Sequence, residues 1–365
     1  MPAHLDAVDP ATLVAQFART NRLPGLAAAV AFDGRVAWVG AAGHADLVDG
    51  APADGDTTWH WFSMTKIVTA TAAMALVDAG RLDLDAPIDD YLTDLPLPFR
   101  GARVRWLLNH SAGFTNPVPI RWVLAAGSPM PDQRVFLDQL LSHQRKPKFT
   151  PGTRASYSNV GYQVLGEVIA EASGTSYVED VTTRVLSRLE MECSGFSYTA
   201  SLTAHAATGY QRAPRGTAAL LRRLVPAEVV GDRVGRYVAF NAFELDGAAY
   251  GGLIGSVTDA GRFLAMHTGE GALGGTRILS AASVRAMQVI DTRGDRYDHG
   301  LGWFRRRERH RPTTPFVEHL GGGGGFHNLM RLYPERGTGV VIMANTTTSY
   351  PASRLSDALA ELVHA

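Results

Sequence analysis

Lysine is nearly missing from this chain of 365 residues: among 35 lysines and arginines only Lys66, Lys146 and Lys148 are lysines. Arginine stays protonated in proteins, whereas a buried lysine readily gives up its charge, so the few lysines are the basic residues to inspect for chemistry. Cysteine occurs once, at Cys193, which excludes an intramolecular disulfide and offers no sign of an oxidising compartment. Charge of either sign is not in excess: 35 basic and 35 acidic residues cancel, so no overall basic field exists to recruit nucleic acid or an anionic membrane. The twelve histidines show no His-x-x-x-His or Cys/His spacing, so neither a metal nor another cofactor is expected. No Gly-x-Ser-x-Gly elbow occurs. Met1–Pro10 has neither a basic n-region nor an apolar h-region, and no run is apolar enough to span a bilayer, which leads to the expectation of a soluble cytoplasmic protein.

What is present is an ordinary globular composition, 45% hydrophobic and 19% charged, in a chain longer than one core usually supports. Lys66 lies inside an almost chargeless stretch. From Met64 to Ala79 there is no Pro or Gly, and Gly80 follows, so a helix is expected there. That helix is apolar on nearly all faces and should be buried between layers. Burial disfavours a charged lysine; bringing its pKa from ~10.4 to ~7 requires roughly 4 to 5 kcal/mol, within reach of desolvation. Ser63 stands three residues before Lys66, one turn away on the same face, so a serine nucleophile with lysine as proton acceptor becomes the leading hypothesis.

Two hairpins mark the chain ends. Asp33-Gly34 separates the apolar runs Leu26–Phe32 and Val36–Gly40, and Pro334–Gly337 separates Phe326–Tyr333 from Gly339–Ala344. An isolated hairpin is marginal in water, so the two should share one antiparallel sheet. Asp9-Pro10 should open a helix through Arg19. Between the hairpins, periodic segments at Val104–Leu108, Val135–Leu141, Gly161–Ala172 and Tyr177–Leu189 predict a mostly helical insertion, while Ala213–Ala239 shows no clear period. The fold class expected is α/β (α+β): a sandwich domain of residues 1–85 and 247–365 around an antiparallel sheet, with 86–246 as an inserted helical domain.

Two further segments supply partners for Ser63. Tyr157-Ser-Asn159, read as a loop, can direct a phenol and an amide to one place; a phenol beside an ammonium ionises more easily and can act as a base. His319-Leu-Gly-Gly-Gly-Gly-Gly-Phe326 leads into a strand rather than a helix, so its glycines suit close approach of a strand edge to a substrate, with a backbone N–H as an oxyanion donor. Cys193 follows Leu189-Glu-Met-Glu at a helix-to-loop junction and is a poor nucleophile candidate, His110 reads as a structural loop residue, and the Arg222-Arg223 and Arg305–Arg309 clusters read as solvated faces.

Ser63-Met-Thr-Lys66, Tyr157-Ser-Asn159 and His319-Leu-Gly321, in this order and spacing, resemble the Ser-x-x-Lys, Tyr-x-Asn and Lys-Thr-Gly boxes of the class C β-lactamase and penicillin-binding-protein superfamily of serine hydrolases, family VIII carboxylesterases included. Leu107–Gly113, Tyr250–Ser256 and His299–Trp303 also look like that family's stretches. The resemblance implies an acyl-enzyme on Ser63, proton transfer by Lys66 and Tyr157, and positioning of the acyl group by Asn159. It implies an oxyanion site from the N–H groups of Ser63 and Gly322, with His319 lining the pocket beside Gly321.

The departure at His319 bears on substrate. Imidazole is a weaker carboxylate partner than the family's lysine, so small carboxylic esters are favoured over lactams. β-Lactam or D-peptide and D-amino-acid amide hydrolysis, acyl transfer to an alcohol, and a non-enzymatic sensor or scaffold remain the competing readings. The partner expected is a small acyl compound; the sequence leaves the oligomeric state open.

Overall fold

The computed structural model describes residues 9–93, 95–117, 122–307 and 314–364. The first helix, α1, spans Pro10–Asn21, with the Asp9 carboxylate accepting from Thr12 N at 3.1 Å and Pro10 in the first turn, where a missing N–H costs nothing. The main sheet has seven strands: β1 Gly25–Phe32, β2 Arg35–Gly43, β3 Tyr297–His299, β4 Phe304–Arg306, β5 Val317–Gly323, β6 Phe326–Tyr333 and β7 Thr338–Ala344. Their spatial order is β3-β4-β5-β6-β7-β1-β2. All pairings are antiparallel. Asp33 and Gly34 both take positive φ, 44° and 76°, which is the backbone a tight two-residue hairpin turn demands. Leu26↔Ala344 through Phe32↔Thr338 is the register that joins the two chain ends.

Period-two alternation then sorts the sheet's two faces. Leu26, Ala28, Val30, Val340 and Ile342 pack with Val14 of α1 and with Leu355 and Leu359 of the C-terminal helix Ala352–Leu362. Ala27, Ala29, Ala31, Val341 and Met343 face the larger core, which contains helix α2, Thr65–Asp78, and helix Val257–Thr268. Gly261 of the latter helix is a close-approach glycine: a side chain there would press on Ala29 and Val36. α2 is buried on every side from Thr65 to Leu76, as its lack of an amphipathic face requires.

The periodic segments between the hairpins are helical at Val104–Leu108, Gln133–Ser142 and Asn159–Ser173. Tyr177–Leu189 begins as an α-helix and passes through a π turn and a 3₁₀ turn. The segment without a clear period is a small antiparallel sheet: Tyr237–Phe240 lies between Gly209–Arg212 and Val230–Val234, with a short helix, Thr217–Leu221, against it. Its strands are four or five residues long and mixed with arginines, too short for a periodic signal to stand out.

Candidate active site

Ser63 sits in a 3₁₀ turn, Phe62–Met64, that runs directly into α2. Phe62 just before it has φ 47°, a left-handed conformation that is costly for a residue with a side chain. Contacts with His60, Phe243 and Phe326 hold that ring in place. Three residues on, the Lys66 side chain is fully buried. Its Nζ lies 3.4 Å from Ser63 Oγ, 2.9 Å from Asn159 Oδ1 and 2.6 Å from the Tyr250 carbonyl oxygen. Burial drives its pKa well below the ordinary value of 10.5. The proton count fits the neutral form: a neutral amine has two N–H groups, one for Asn159 Oδ1 and one for the Tyr250 carbonyl, and keeps its lone pair for the Ser63 hydroxyl proton. The 3.4 Å separation is long, as catalytic hydrogen bonds commonly are before substrate binds.

Tyr157 stacks obliquely near Lys66, whose Nζ is 4.8 Å from its ring centroid. Its hydroxyl is buried without a well-formed hydrogen bond. Burial raises its pKa, and the facing Ser63 side chain only partly offsets this. The expected easy ionisation therefore meets an opposing force. Burial thus favours the protonated phenol over the phenolate. Asn159 is not in a loop as expected; it is the first residue of its helix, which Ser158 caps by accepting from Gly161 N at 3.0 Å. Asn116 fixes this junction. Its side chain accepts from Asn159 N at 2.7 Å and donates to the Tyr157 carbonyl at 3.1 Å, a positioning role with no motif to reveal it. His110 supports the same loop, its Nδ1 accepting from Ser158 N at 3.1 Å and its ring 4.5 Å from that of Tyr157.

The glycine segment forms the end of β5. A side chain on Gly321 would run into the Trp61 carbonyl oxygen, so glycine there lets β5 lie against the nucleophile's turn. Gly322, Gly323 and Gly324 line a cavity of about 300 Å³ together with Ser63, Asn159, Tyr250 and Gln211. Its remaining walls are apolar, among them Phe62, Val123, Leu221, Val225, Val229, Phe240 and Phe243. No charged side chain lines it among the described residues. The expectation that His319 lines this cavity needs correction. His319 is 1% exposed and sits behind it, its ring 6.1 Å from Tyr157 and 4.5 Å from Phe304. Alternation along β5 puts His319 on the same face as Gly321 and Gly323, towards the nucleophile's turn; it is the Phe304 and Tyr157 rings packed on it that keep it out of the cavity lining. Its Nδ1–H donates to the Leu320 carbonyl at 2.8 Å, its Nε2 has no partner, and burial keeps the ring neutral. Gly321 likewise lies beside the cavity rather than in its lining.

From the sequence, the loops Asn116–Arg134 and His205–Asp246 are expected to shape the pocket, with nothing to say how; in the structure Val123 from the first and Leu221, Val225, Val229 and Phe240 from the second line it. Tyr250 stood in a family-like stretch, yet its carbonyl contact to Lys66 has no signal in side-chain identity. Cys193 is half-buried, with its thiol pKa pushed up chiefly by burial, the opposite of an activated nucleophile. No group of three or more His, Cys, Asp or Glu side chains among the described residues is placed to hold a metal ion. No helix among them is long and apolar enough to cross a membrane.

The Beta-lactamase family model matches residues 11–365, and the chain belongs to that family of serine hydrolases. It is similar to a penicillin-binding protein of Bacillus subtilis (strain 168), 26% identical over 312 residues, which covers 83% of this chain but 64% of the relative. The chain thus spans about two thirds of that protein's length. It is also similar to penicillin-binding protein 4 of Amycolatopsis lactamdurans, 27% identical over 94% of this chain and 86% of the relative. Among solved structures, the D-amino acid amidase of Ochrobactrum anthropi SV3 shares the fold at a TM-score of 0.77 and 22% identity, covering 97% of this chain and 98% of that one.

Proposed function

We propose that this protein hydrolyses small carboxylic esters with an uncharged, apolar acyl group, through an acyl-enzyme on Ser63. The observation that carries the reading is the cavity: Ser63 and Asn159 open into about 300 Å³ walled by apolar side chains and glycines, with no charged residue in its lining among the described residues. A carboxylate-bearing lactam or peptide brought there would lose water and meet no charged lining side chain among the described residues, a costly exchange. An apolar acyl chain loses nothing polar and gains burial.

In this reading Lys66 is the first base. Its neutral amine takes the Ser63 proton as Oγ attacks the acyl carbon, while Asn159 and Tyr250 hold the amine in line. The oxyanion is received by the N–H groups of Ser63 and Gly322; one such donor is typically worth ~100- to 1000-fold in rate. Tyr157 passes a proton to the departing alkoxide and is reprotonated from Lys66. Water then attacks the ester on Ser63 by the same route in reverse, releasing the acid.

The test is turnover of p-nitrophenyl butyrate by the wild type and by Ser63→Ala, beside a chromogenic cephalosporin and D-phenylalanine amide. Ester turnover that the variant loses, at a kcat/KM at least tenfold above the other two, is the expected result. A cephalosporin or amide preferred over the ester would overturn the substrate assignment, and equal ester rates in both proteins would remove Ser63 as nucleophile.

A further inference from the structure

The zero net charge of the chain conceals a local excess. Between positions 212 and 236 there are six arginines, at 212, 215, 222, 223, 233 and 236, against two acidic residues, Glu228 and Asp232, a local balance of four positive charges. All six arginines are exposed. Arg222 pairs with Asp232 at 3.5 Å and Arg233 donates to the Pro214 carbonyl, but Arg212, Arg215 and Arg223 form no ion pair among the described residues.

The helical turn inside this stretch has two apolar faces. Leu221 and Val225, four residues apart, point inward and line the cavity that contains Ser63. Leu220 and Leu224, also four apart, point outward and are 57% and 44% exposed. Six large apolar side chains stand out as exposed among the described residues, and these two are the ones that share a turn. The helix ends at Leu221 and the chain continues as hydrogen-bonded turns, with Leu220 N donating to the Gly216 carbonyl and both Leu224 N and Val225 N to the Leu221 carbonyl. A solvated turn has no use for leucines on both faces.

We propose that residues 212–225 form a docking face for an anionic lipid surface, with Leu220 and Leu224 entering the apolar boundary and Arg215 and Arg223 meeting the headgroup charge. An outward pair of leucines flanked by unpaired arginines is the pattern of a segment that lies on an interface rather than crossing it. Because the same turn supplies the cavity wall, a surface-bound protein presents its acyl site at the boundary where apolar esters accumulate. The biological purpose rests on the ester reading; the binding itself does not.

The experiment is co-sedimentation of the full chain with phosphatidylcholine vesicles and with vesicles of phosphatidylcholine and phosphatidylglycerol at 7:3. Binding at least tenfold stronger to the anionic vesicles is expected. It should fall about 25-fold in Arg215→Ser/Arg223→Ser, roughly fivefold for each arginine removed. It should fall at least tenfold in Leu220→Ser/Leu224→Ser. None of the four side chains lines the cavity, so p-nitrophenyl butyrate turnover in free solution should stay within twofold of wild type for both variants. Absence of binding, equal binding to both vesicle types, or variants that bind like wild type would each overturn the proposal. So would a dimer in sedimentation velocity that the leucine variant dissociates, since the face would then belong to a second copy. Ester turnover is read separately: vesicle binding without turnover leaves the docking face standing and removes the ester assignment.

Discussion

Replacing Lys66 by arginine separates charge from basicity at one position. The amine is placed for proton transfer, 3.4 Å from Ser63 Oγ, and burial lowers its pKa well below 10.5 so that it can be neutral. Arginine keeps a cation there and cannot give up its proton. Loss of a general base costs ~100- to 10,000-fold. The larger guanidinium must also fit where Asn159 Oδ1 and the Tyr250 carbonyl lie 2.9 and 2.6 Å from Nζ, which displaces Asn159 as well. A fall of about 1000-fold or more in kcat/KM for p-nitrophenyl butyrate is expected, measured on protein whose circular dichroism matches wild type. The wild-type profile should carry the sign of the same argument: activity is lost as pH falls through a single pKa that lies well below lysine's ordinary value, because protonation removes the base. Retention of more than about a tenth of the wild-type rate by Lys66→Arg, or a profile flat down to the carboxylate range, would refute the assignment.

The apolar cavity predicts that kcat/KM for p-nitrophenyl esters rises from acetyl to butyryl by roughly fourfold per methylene, the value of burying one CH₂ at ~0.8 kcal/mol. Val229→Phe, which fills a wall position 1% exposed to solvent, should cut butyrate turnover at least tenfold and acetate less than threefold; an unchanged acyl series would refute the role of this wall. Tyr157→Phe deletes a buried hydroxyl with no well-formed hydrogen bond, so it should stabilise the fold by about 1 to 3 kcal/mol while lowering activity at least 100-fold; a lower melting temperature would contradict this. Buried neutral histidines predict acid sensitivity. His60 and His267 have pKa lowered to about 3 and His299 to about 4, all by burial, so stability is intact above the unfolded value of 6.5 and is lost as pH falls below it. At pH 5 each costs about 2 kcal/mol relative to pH 7; Asp259, raised to about 6 by burial, returns about 1, so these four groups together lose about 4 to 5 kcal/mol, and the buried His110 and His319 shift in the same destabilising direction. Thermal melting at pH 5 within 3 °C of that at pH 7 would show these imidazoles to be accessible.

The parts of the site that the sequence made legible are those whose chemistry is local. Ser63 and Lys66 share one helical turn, so spacing alone brings them together. The two hairpins announce themselves through Asp33-Gly34 and Gly337, residues whose positive φ marks a turn, and the joining of the chain ends follows because neither hairpin is stable alone. What stayed hidden depends on backbone atoms and tertiary packing. The Tyr250 carbonyl that holds Lys66, the Asn116 amide that fixes the Tyr157–Asn159 junction, and which side chains of the expected pocket loop 205–246 turn into the cavity are not encoded in any spacing rule. His319 shows the limit most clearly: the box it occupies is recognisable and the pleat of β5 turns it to the same face as Gly321 and Gly323, but the packing of Tyr157 and Phe304 on its ring, which keeps it out of the cavity lining, is tertiary.

The unsatisfied groups of this molecule are concentrated where its chemistry is. Buried side-chain polar atoms without a well-formed hydrogen bond include both His60 nitrogens and the indole nitrogens of Trp59 and Trp61, all within four residues of Ser63, and then Tyr157 Oη and His319 Nε2 beside it. Each such group costs stability. The left-handed Phe62 adds backbone strain at the same point. A fold selected for stability alone would place apolar residues at these positions. The sheet behind the site offsets the cost, since β1 and β7 are buried along nearly their whole length and pair residue for residue from Leu26↔Ala344 to Phe32↔Thr338. A rigid, over-determined sheet can therefore hold a buried lysine, a buried phenol and the strained turn at Phe62 in one place, and the downward shift of the Lys66 pKa comes from the dryness that the same packing creates.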